Sequence, residues 1–177
     1  MPAITCETTL YTIGTWTILR LPPEASRQLP SRSQVVVTGT LNGLPFQSPL
    51  EPDGKGSHWC RIDDTLQRSA GIAAGDTVQL VIEATKDWPE PELPADWRAA
   101  LEAHPDEYAL WKRITPMARW EWLRWIGSTK EPATRERRIA VSLSKMQAGE
   151  RRPCCFNRNL CSEPYVSHNW HLLEPTK

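Results

Sequence analysis

The first ninety residues carry one plan twice. A strand-like run closes at Leu21, a short turn follows, and an apolar run opens at Val35. The same order recurs with Ile62 and Val78, offset by about 42 residues, and a repeat of this kind decides the fold before any local detail does. Within the first copy, Thr5–Leu21 alternates loosely and is rich in Thr, Ile, Trp and Tyr, the residues of strands. Trp16 and Ile18 share one face of that strand. Pro22-Pro23 stops it, and Glu24–Leu29 has room for one helical turn. Gln34–Leu41 is a second strand, and its Val35-Val36-Val37 is too apolar for an exposed sheet. Asn42-Gly43 predicts a two-residue hairpin, because both positions tolerate positive φ. The return strand carries Leu44 and Phe46 and ends in Pro52-Asp53-Gly54. In the second copy, Ser57–Ile62 is a strand and Asp63–Ser69 a helical turn capped by Asp63 or Asp64. Ala70–Asp76 is a turn holding Gly71 and Gly75, and Thr77–Glu83 a strand alternating Val78, Leu80 and Ile82. Two copies are too few for a solenoid. A small closed barrel of two interleaved halves is expected, and closure also removes exposed sheet edges.

Residues 87–94, Asp-Trp-Pro-Glu-Pro-Glu-Leu-Pro, cannot be helix or central strand and predict an extended linker. Beyond it the period changes from two to 3.6. Trp97, Leu101 and His104 line one helical face, Pro105 ends that helix, and Tyr108, Trp111 and Ile114 line the next. Thr115-Pro116 opens a third helix with an N-cap followed by proline at the first helical position. On it Trp120, Trp122, Leu123, Trp125 and Ile126 cover more than half the circumference, an arc that predicts cover on two sides. Gly127-Ser128 interrupts, Pro132 restarts, and Ile139, Leu143 and Met146 form a single apolar face closed by Gly149 as C-cap. The two helices make an αα-hairpin with Lys130, Arg135, Arg137 and Arg138 crowded at the joint.

Trp125-Ile126, Lys130, Thr134-Arg135, Arg138-Ile139 and Gly149 resemble the closing segment of the YdeI/OmpD-associated, bacteriocin-protection family. Two positions depart from that pattern: Thr129 stands for the usual alanine before the lysine, and Ala133 for the usual glutamate before Thr-Arg. The resemblance covers roughly residues 10–150. It implies an N-terminal double-split β-barrel shared with AbrB-type proteins, and Gly75-Asp76-Thr77-Val78 looks like the glycine-aspartate turn of that fold. The family name implies a role in tolerance of bacteriocins or envelope stress and supplies no mechanism.

Formal charge sums to zero but is unevenly spread. Residues 1–93 hold 11 acids and 7 bases, residues 94–149 hold 7 acids and 10 bases, and the last 28 residues come to +1. That mild polarity does not favour a dedicated nucleic-acid binder, which needs a strongly basic balance. No stretch approaches the apolar length of a membrane span. No charged start precedes an apolar run at the N-terminus, so no signal peptide is expected. Five cysteines, an odd number, then read as reduced thiols and point to the cytoplasm.

Candidate chemistry is sparse. Gly54-Lys55-Gly56-Ser57-His58 lacks the spacing of a phosphate loop and is followed by a strand, so it reads as a hairpin turn. His58 and Cys60 sit two apart on one side of a strand, but a Cys–His pair needs a third group and a cleft, and none is named by the sequence. Cys154, Cys155, Cys161, His168 and His171 are residue types that zinc favours, at spacings that do not suit it. The tail is expected instead to be irregular and held by Phe156, Tyr165 and Trp170. The bases are the stronger signal. Arginine at a helix start opposes the helix dipole, which suggests a partner at the joint. Arg135 falls on the apolar edge, with Glu131 one turn before it, while Arg138 and Lys145 share an outward side.

The expected protein is therefore α+β: a small pseudo-duplicated double-split β-barrel over 1–90, a helical segment over 94–149, and an irregular tail over 150–177. The expected function is non-enzymatic binding in the cytoplasm by a monomer. Lys130, Arg135 and Arg138 would take an anionic ligand or an acidic protein surface. A nucleic-acid-binding regulator, through the barrel or the basic helix, is the alternative, and an enzyme ranks third. No cofactor or metal is expected.

Overall fold

Leu10 divides what reads in sequence as one strand. In the computed structural model, which describes residues 2–153 and 171–175, β1 spans Ile4–Thr9 and β2 spans Tyr11–Ile13. A turn at Gly14, whose φ is 55°, then leads into β3, Trp16–Arg20. Thr5–Leu21, which reads as one strand, is thus three in the structure. The hairpin signal at Gly14-Thr15 is weak beside Asn42-Gly43, and the bend at Leu10 is fixed from far away. Leu10 N–H donates to Asp76 O at 2.9 Å, and its carbonyl accepts from Gly75 N–H at 2.8 Å.

The single turn α1 (Pro23–Ser26) leads to β4 (Val35–Leu41), and Asn42 and Gly43, at φ 50° and 81°, close the expected hairpin into β5 (Leu44–Pro52). After β6 (His58–Ile62), Asp63 caps α2 (Asp64–Ala70), its Oδ1 accepting from Leu66 N–H at 2.7 Å, and β7 (Thr77–Thr85) ends the sheet. The duplication is visible in the element starts. β3 begins at Trp16 and β6 at His58, β4 at Val35 and β7 at Thr77, a spacing of 42 in each case. Equivalent strands pair with each other and run antiparallel: β3 with β6, and β4 with β7. That is the arrangement two interleaved halves require.

The strand order is β1-β7-β4-β5-β6-β3-β2, antiparallel throughout. β1 and β2 are consecutive in the chain yet lie at opposite ends of that order, so the sheet must curl to bring them together at Leu10. The result is a half-barrel whose ends meet through a side chain, Thr8 Oγ1 donating to Arg20 O at 2.7 Å. Inside the curl, Leu19, Val37, Leu41, Leu50, Val78, Leu80 and Ile82 are all buried, and α1 and α2 contribute Ala25 and Leu66 to the same core.

At the β5–β6 turn, Asp53 is fully buried. Its Oδ1 accepts from Lys55 N–H at 2.7 Å and Ser57 N–H at 2.9 Å, and Arg20 pairs with Oδ2 at 2.6 Å. Burial pushes the carboxyl up, and the two amides with the guanidinium outweigh it, so Asp53 ionises below its ordinary range. Residues 171–175 run beside this turn: Leu172 N–H donates to Asp53 O at 3.0 Å, the His171 ring lies against Gly54, and Lys55 pairs with Glu174.

The second compact unit, described over residues 90–153, is helical. It holds α3 (Ala95–Glu102), α4 (Pro105–Arg113), α5 (Pro116–Gly127) and α6 (Pro132–Gln147). Thr115 caps α5 as expected, its Oγ1 accepting from Ala118 N–H at 3.2 Å. Gly149, at φ 88°, closes α6 in a Schellman motif, with Glu150 N–H reaching Lys145 O and Gly149 N–H reaching Met146 O. Trp97, Leu101, Trp111, Ile114, Trp122, Ile126 and Met146 form the core. On α5 only Ala118, Trp122 and Ile126 are buried, one stripe at four-residue spacing, and Trp120, Leu123 and Trp125 are half-exposed. Among the described residues the arc is thus fully buried along one stripe, with Leu123 and Trp125 packed partly buried at its edge. His104, expected on the α3 face, lies past the helix and is exposed, with Nδ1 donating to Ala100 O at 2.8 Å.

Candidate functional site

The three bases expected to form a site are placed differently by the helix ends around them. Lys130 lies between α5 and α6 and is exposed. Arg135, in the first turn of α6, forms a two-point pair with Asp96 of α3: Nε to Oδ2 at 2.6 Å and Nη2 to Oδ1 at 2.9 Å. Its carboxylate partner is therefore Asp96, across the helix packing, and not Glu131 one turn before. The Arg135 hydrogen bonds hold the Asp96 carboxyl below its ordinary range, with the guanidinium charge and the Trp97 N–H adding to them.

Arg138 is turned inward, against the outward side expected of it. Nη1 donates to Trp125 O at 2.8 Å, to Ser128 O at 3.0 Å and to Ser128 Oγ. The last carbonyls of a helix have no intrahelical donor, and this guanidinium supplies one at the end of α5. Its Cζ stands 5.5 Å from the Trp125 ring centroid, and Lys145 Nζ stands 5.9 Å from the same centroid. The joint thus gathers an exposed ammonium, two arginines fixed by internal partners, and an indole that holds two cations.

A second arrangement in this unit escaped sequence reading. Arg119 Nε donates to Trp111 O and Nη2 to Lys112 O, both at 2.9 Å, and Nη1 pairs with Glu90. It closes the C-terminus of α4 as Arg138 closes that of α5. Beside it, Glu90, Leu93, Tyr108, Trp111, Lys112 and Arg119 line a concavity of about 280 Å³. Lys112 Nζ lies 4.3 Å from the Tyr108 ring centroid. Tyr108 and Lys112 are four apart on one helix, so their contact was readable; the three-way role of Arg119 was not, because its acceptors are main-chain carbonyls.

The remaining sequence candidates do not assemble into reactive pairs. His58 is buried, with Nδ1 accepting from Ser26 Oγ at 2.7 Å and Nε2 donating to Ser33 O at 2.8 Å. Both ring nitrogens are used by serines, so no nitrogen is left to activate Cys60. Burial pushes the Cys60 thiol up to about 12, far from the thiolate a nucleophile needs. Gly54–Ser57 is the β5–β6 hairpin turn, as read. Among the described residues no cluster of metal-ligating side chains occurs. Cys154, Cys155, Cys161 and His168, with Phe156, Tyr165 and Trp170, lie outside the described residues. No described helix is long and apolar enough to cross a membrane.

Family comparison follows the same division of the chain. Residues 7–82 match the model of a domain of unknown function, DUF1905, and residues 90–149 match the model described as bacteriocin-protection, YdeI or OmpD-associated. No curated protein matches the chain closely enough to count as a relative. The matched segment 90–149 contains all of α3 to α6, and with them Asp96, Arg119, Lys130, Arg135 and Arg138. The helical unit therefore carries the match to the YdeI/OmpD-associated, bacteriocin-protection model, and the half-barrel sheet before it the match to a domain of unknown function.

Proposed function

We propose that this chain is a non-enzymatic binding protein of the cytoplasm, serving bacteriocin or envelope-stress tolerance by holding an anionic partner at the α5–α6 joint. The supporting observation is the convergence of Arg138 and Lys145 on Trp125, with the exposed Lys130 in the same α5–α6 connection, inside the segment that matches the bacteriocin-protection model. Arg135 and Arg138 are immobilised by Asp96 and by the α5 carbonyls, so ordering them for a ligand costs little further rotamer entropy. Guanidinium N–H groups beyond those bonds, with the exposed Lys130 ammonium, suit carboxylates or phosphates. The free thiols of Cys6 and Cys60 agree with a reducing compartment.

The test is a titration of the full chain with poly-L-glutamate, inorganic phosphate and duplex DNA in parallel, followed at the Trp125 indole by NMR. The acidic polymer should shift that indole saturably. Lys130→Glu should weaken the interaction by about fivefold, the worth of one exposed charge pair, with no loss of fold. Tighter binding of duplex DNA than of poly-L-glutamate at equal ionic strength would transfer the reading to a nucleic-acid partner. Silence of Trp125 toward all three probes would remove the joint as a site.

A further inference from the structure

The concavity on α4 is a separate feature from the joint and goes beyond the proposed function. Its charges settle unequally. Glu90 is held by Arg119, whose Nε and Nη2 also donate to Trp111 O and Lys112 O, so that pair forms a charge-compensated wall. Lys112 is exposed, and among the described residues no carboxylate lies within ion-pairing distance of it. Among the described residues, one ammonium without a carboxylate partner therefore stands at the rim. Its seat on the Tyr108 ring, 4.3 Å from the centroid, already satisfies the negative face of that ring and disfavours a cationic ligand there. The other surfaces, Leu93, Tyr108 and the buried Trp111, are apolar or aromatic. A volume of about 280 Å³ falls just below the range of drug-sized ligand sites, which leaves room for one ring or one short branched chain.

We infer that the Leu93–Tyr108–Trp111–Lys112 concavity binds a small organic anion, a carboxylate carried on a single ring or a short apolar chain. The carboxylate meets the Lys112 ammonium, and the apolar portion lies against Tyr108, Trp111 and Leu93. The Arg119 clamp fixes the end of α4 beforehand, so the wall needs no rearrangement to receive it.

The experiment uses the full chain labelled with ¹⁵N and titrated with 3-phenylpropionate, its uncharged amide, and acetate, read at the Trp111 indole. A saturable shift with 3-phenylpropionate is expected, with a dissociation constant on the order of 1 mM for so few atoms. The amide should bind about fivefold more weakly, as should the Lys112→Met variant, for loss of one charge contact at an exposed site. Tyr108→Ala should weaken binding independently of the charge. The melting temperature of Lys112→Met, an exposed position, serves as the control for folding. Equal binding of acid and amide, an unchanged affinity in Lys112→Met, or no saturation would each overturn the inference. A shift at Trp125 without one at Trp111 would assign the anion to the joint and leave this concavity without a ligand.

Discussion

Arg135 grips Asp96 at two points, 2.6 and 2.9 Å, and so ties the first turn of α6 to the first turn of α3. The Asp96 carboxylate also accepts from Trp97 N–H at 2.8 Å, which sits an anion at a helix start where the dipole favours it. A cation that is unfavourable at its own helix start thereby reaches the favourable anion at another. The arginine that looked like an invitation to a ligand has a partner in the fold.

Arg135→Ala is expected to cost roughly 0.5 kcal/mol, because the pair is partly exposed and screened. That corresponds to a fall in melting temperature of about 1–2 °C for a chain of this size. Asp96 ionises below its ordinary range in the fold, so its contribution is present above the unfolded pKa and is lost as pH falls through the folded one. The difference between wild type and Arg135→Ala should accordingly shrink in acid; a gap that widens below pH 4 would contradict the assignment.

Arg138→Ala should be the more damaging change. It strips the C-terminal carbonyls of α5 of their donor and uncovers one side of Trp125. A loss of about 2 kcal/mol is expected for these bonds, or about 4–8 °C in melting temperature. Thermal denaturation of the two single variants side by side decides the order. A larger effect for Arg135→Ala would mean the α5 cap is not where the stability lies.

Much of this architecture was legible, and the reasons are physical. The repeat of 42 residues, the Asn42-Gly43 turn, the Asp63 and Thr115 caps and the Gly149 closure are local, and local signals survive in sequence. The bend at Leu10 was hidden because its hydrogen bonds come from Gly75 and Asp76, sixty-odd residues away. At the joint, sequence spacing placed Arg135 on the apolar edge correctly but turned Arg138 outward. Its acceptors are the main-chain carbonyls of Trp125 and Ser128, which leave no mark in side-chain pattern. Arg119 was missed for the same reason.

His58 makes the half-barrel sensitive to mild acid. Desolvation lowers its pKa below the ordinary 6.5, and the Arg32 guanidinium lowers it further, against the Ser33 carbonyl and Asp53, which raise it. A base with a depressed folded pKa stabilises above its unfolded value and loses that contribution as pH falls. Wild type should lose melting temperature as pH falls below about 6.5, ahead of the carboxylates. His58→Gln should start lower, since Ser26 and the Ser33 carbonyl lose their designed partner, and show a flatter profile over the same window. Parallel profiles would exclude His58 as the source.

The oligomeric state follows from the pairing of the two halves. β3 meets β6 and β4 meets β7 within one chain, so each half finds its counterpart without a second copy. The protein is expected to be a monomer at micromolar concentration by light scattering. A dimer that separates only on unfolding would show that strands are exchanged between chains.

Gly39 sits in the middle of β4, between the β-branched Val35–Thr38 and Thr40, and a glycine there signals close approach of another backbone. A Cβ built at this position would stand 1.9 Å from Val81 O and 2.9 Å from Ile82 Cα, both main-chain atoms of β7 that no rotamer change can move. Gly43, in the adjoining hairpin, is the useful contrast. It also has positive φ, at 81°, yet nothing lies within 4 Å of its Cβ position. Gly43→Ala should therefore cost only backbone strain, on the order of 1 kcal/mol. Gly39→Ala must push β4 and β7 apart where the two halves of the sheet interlock, and several kcal/mol is expected, the range of severe core disruption. Denaturant titration of both variants measures the difference. Near-equal midpoints would mean that the β4–β7 ladder yields easily at Gly39, and the tight register through Ile82 would then not be what holds the two halves together.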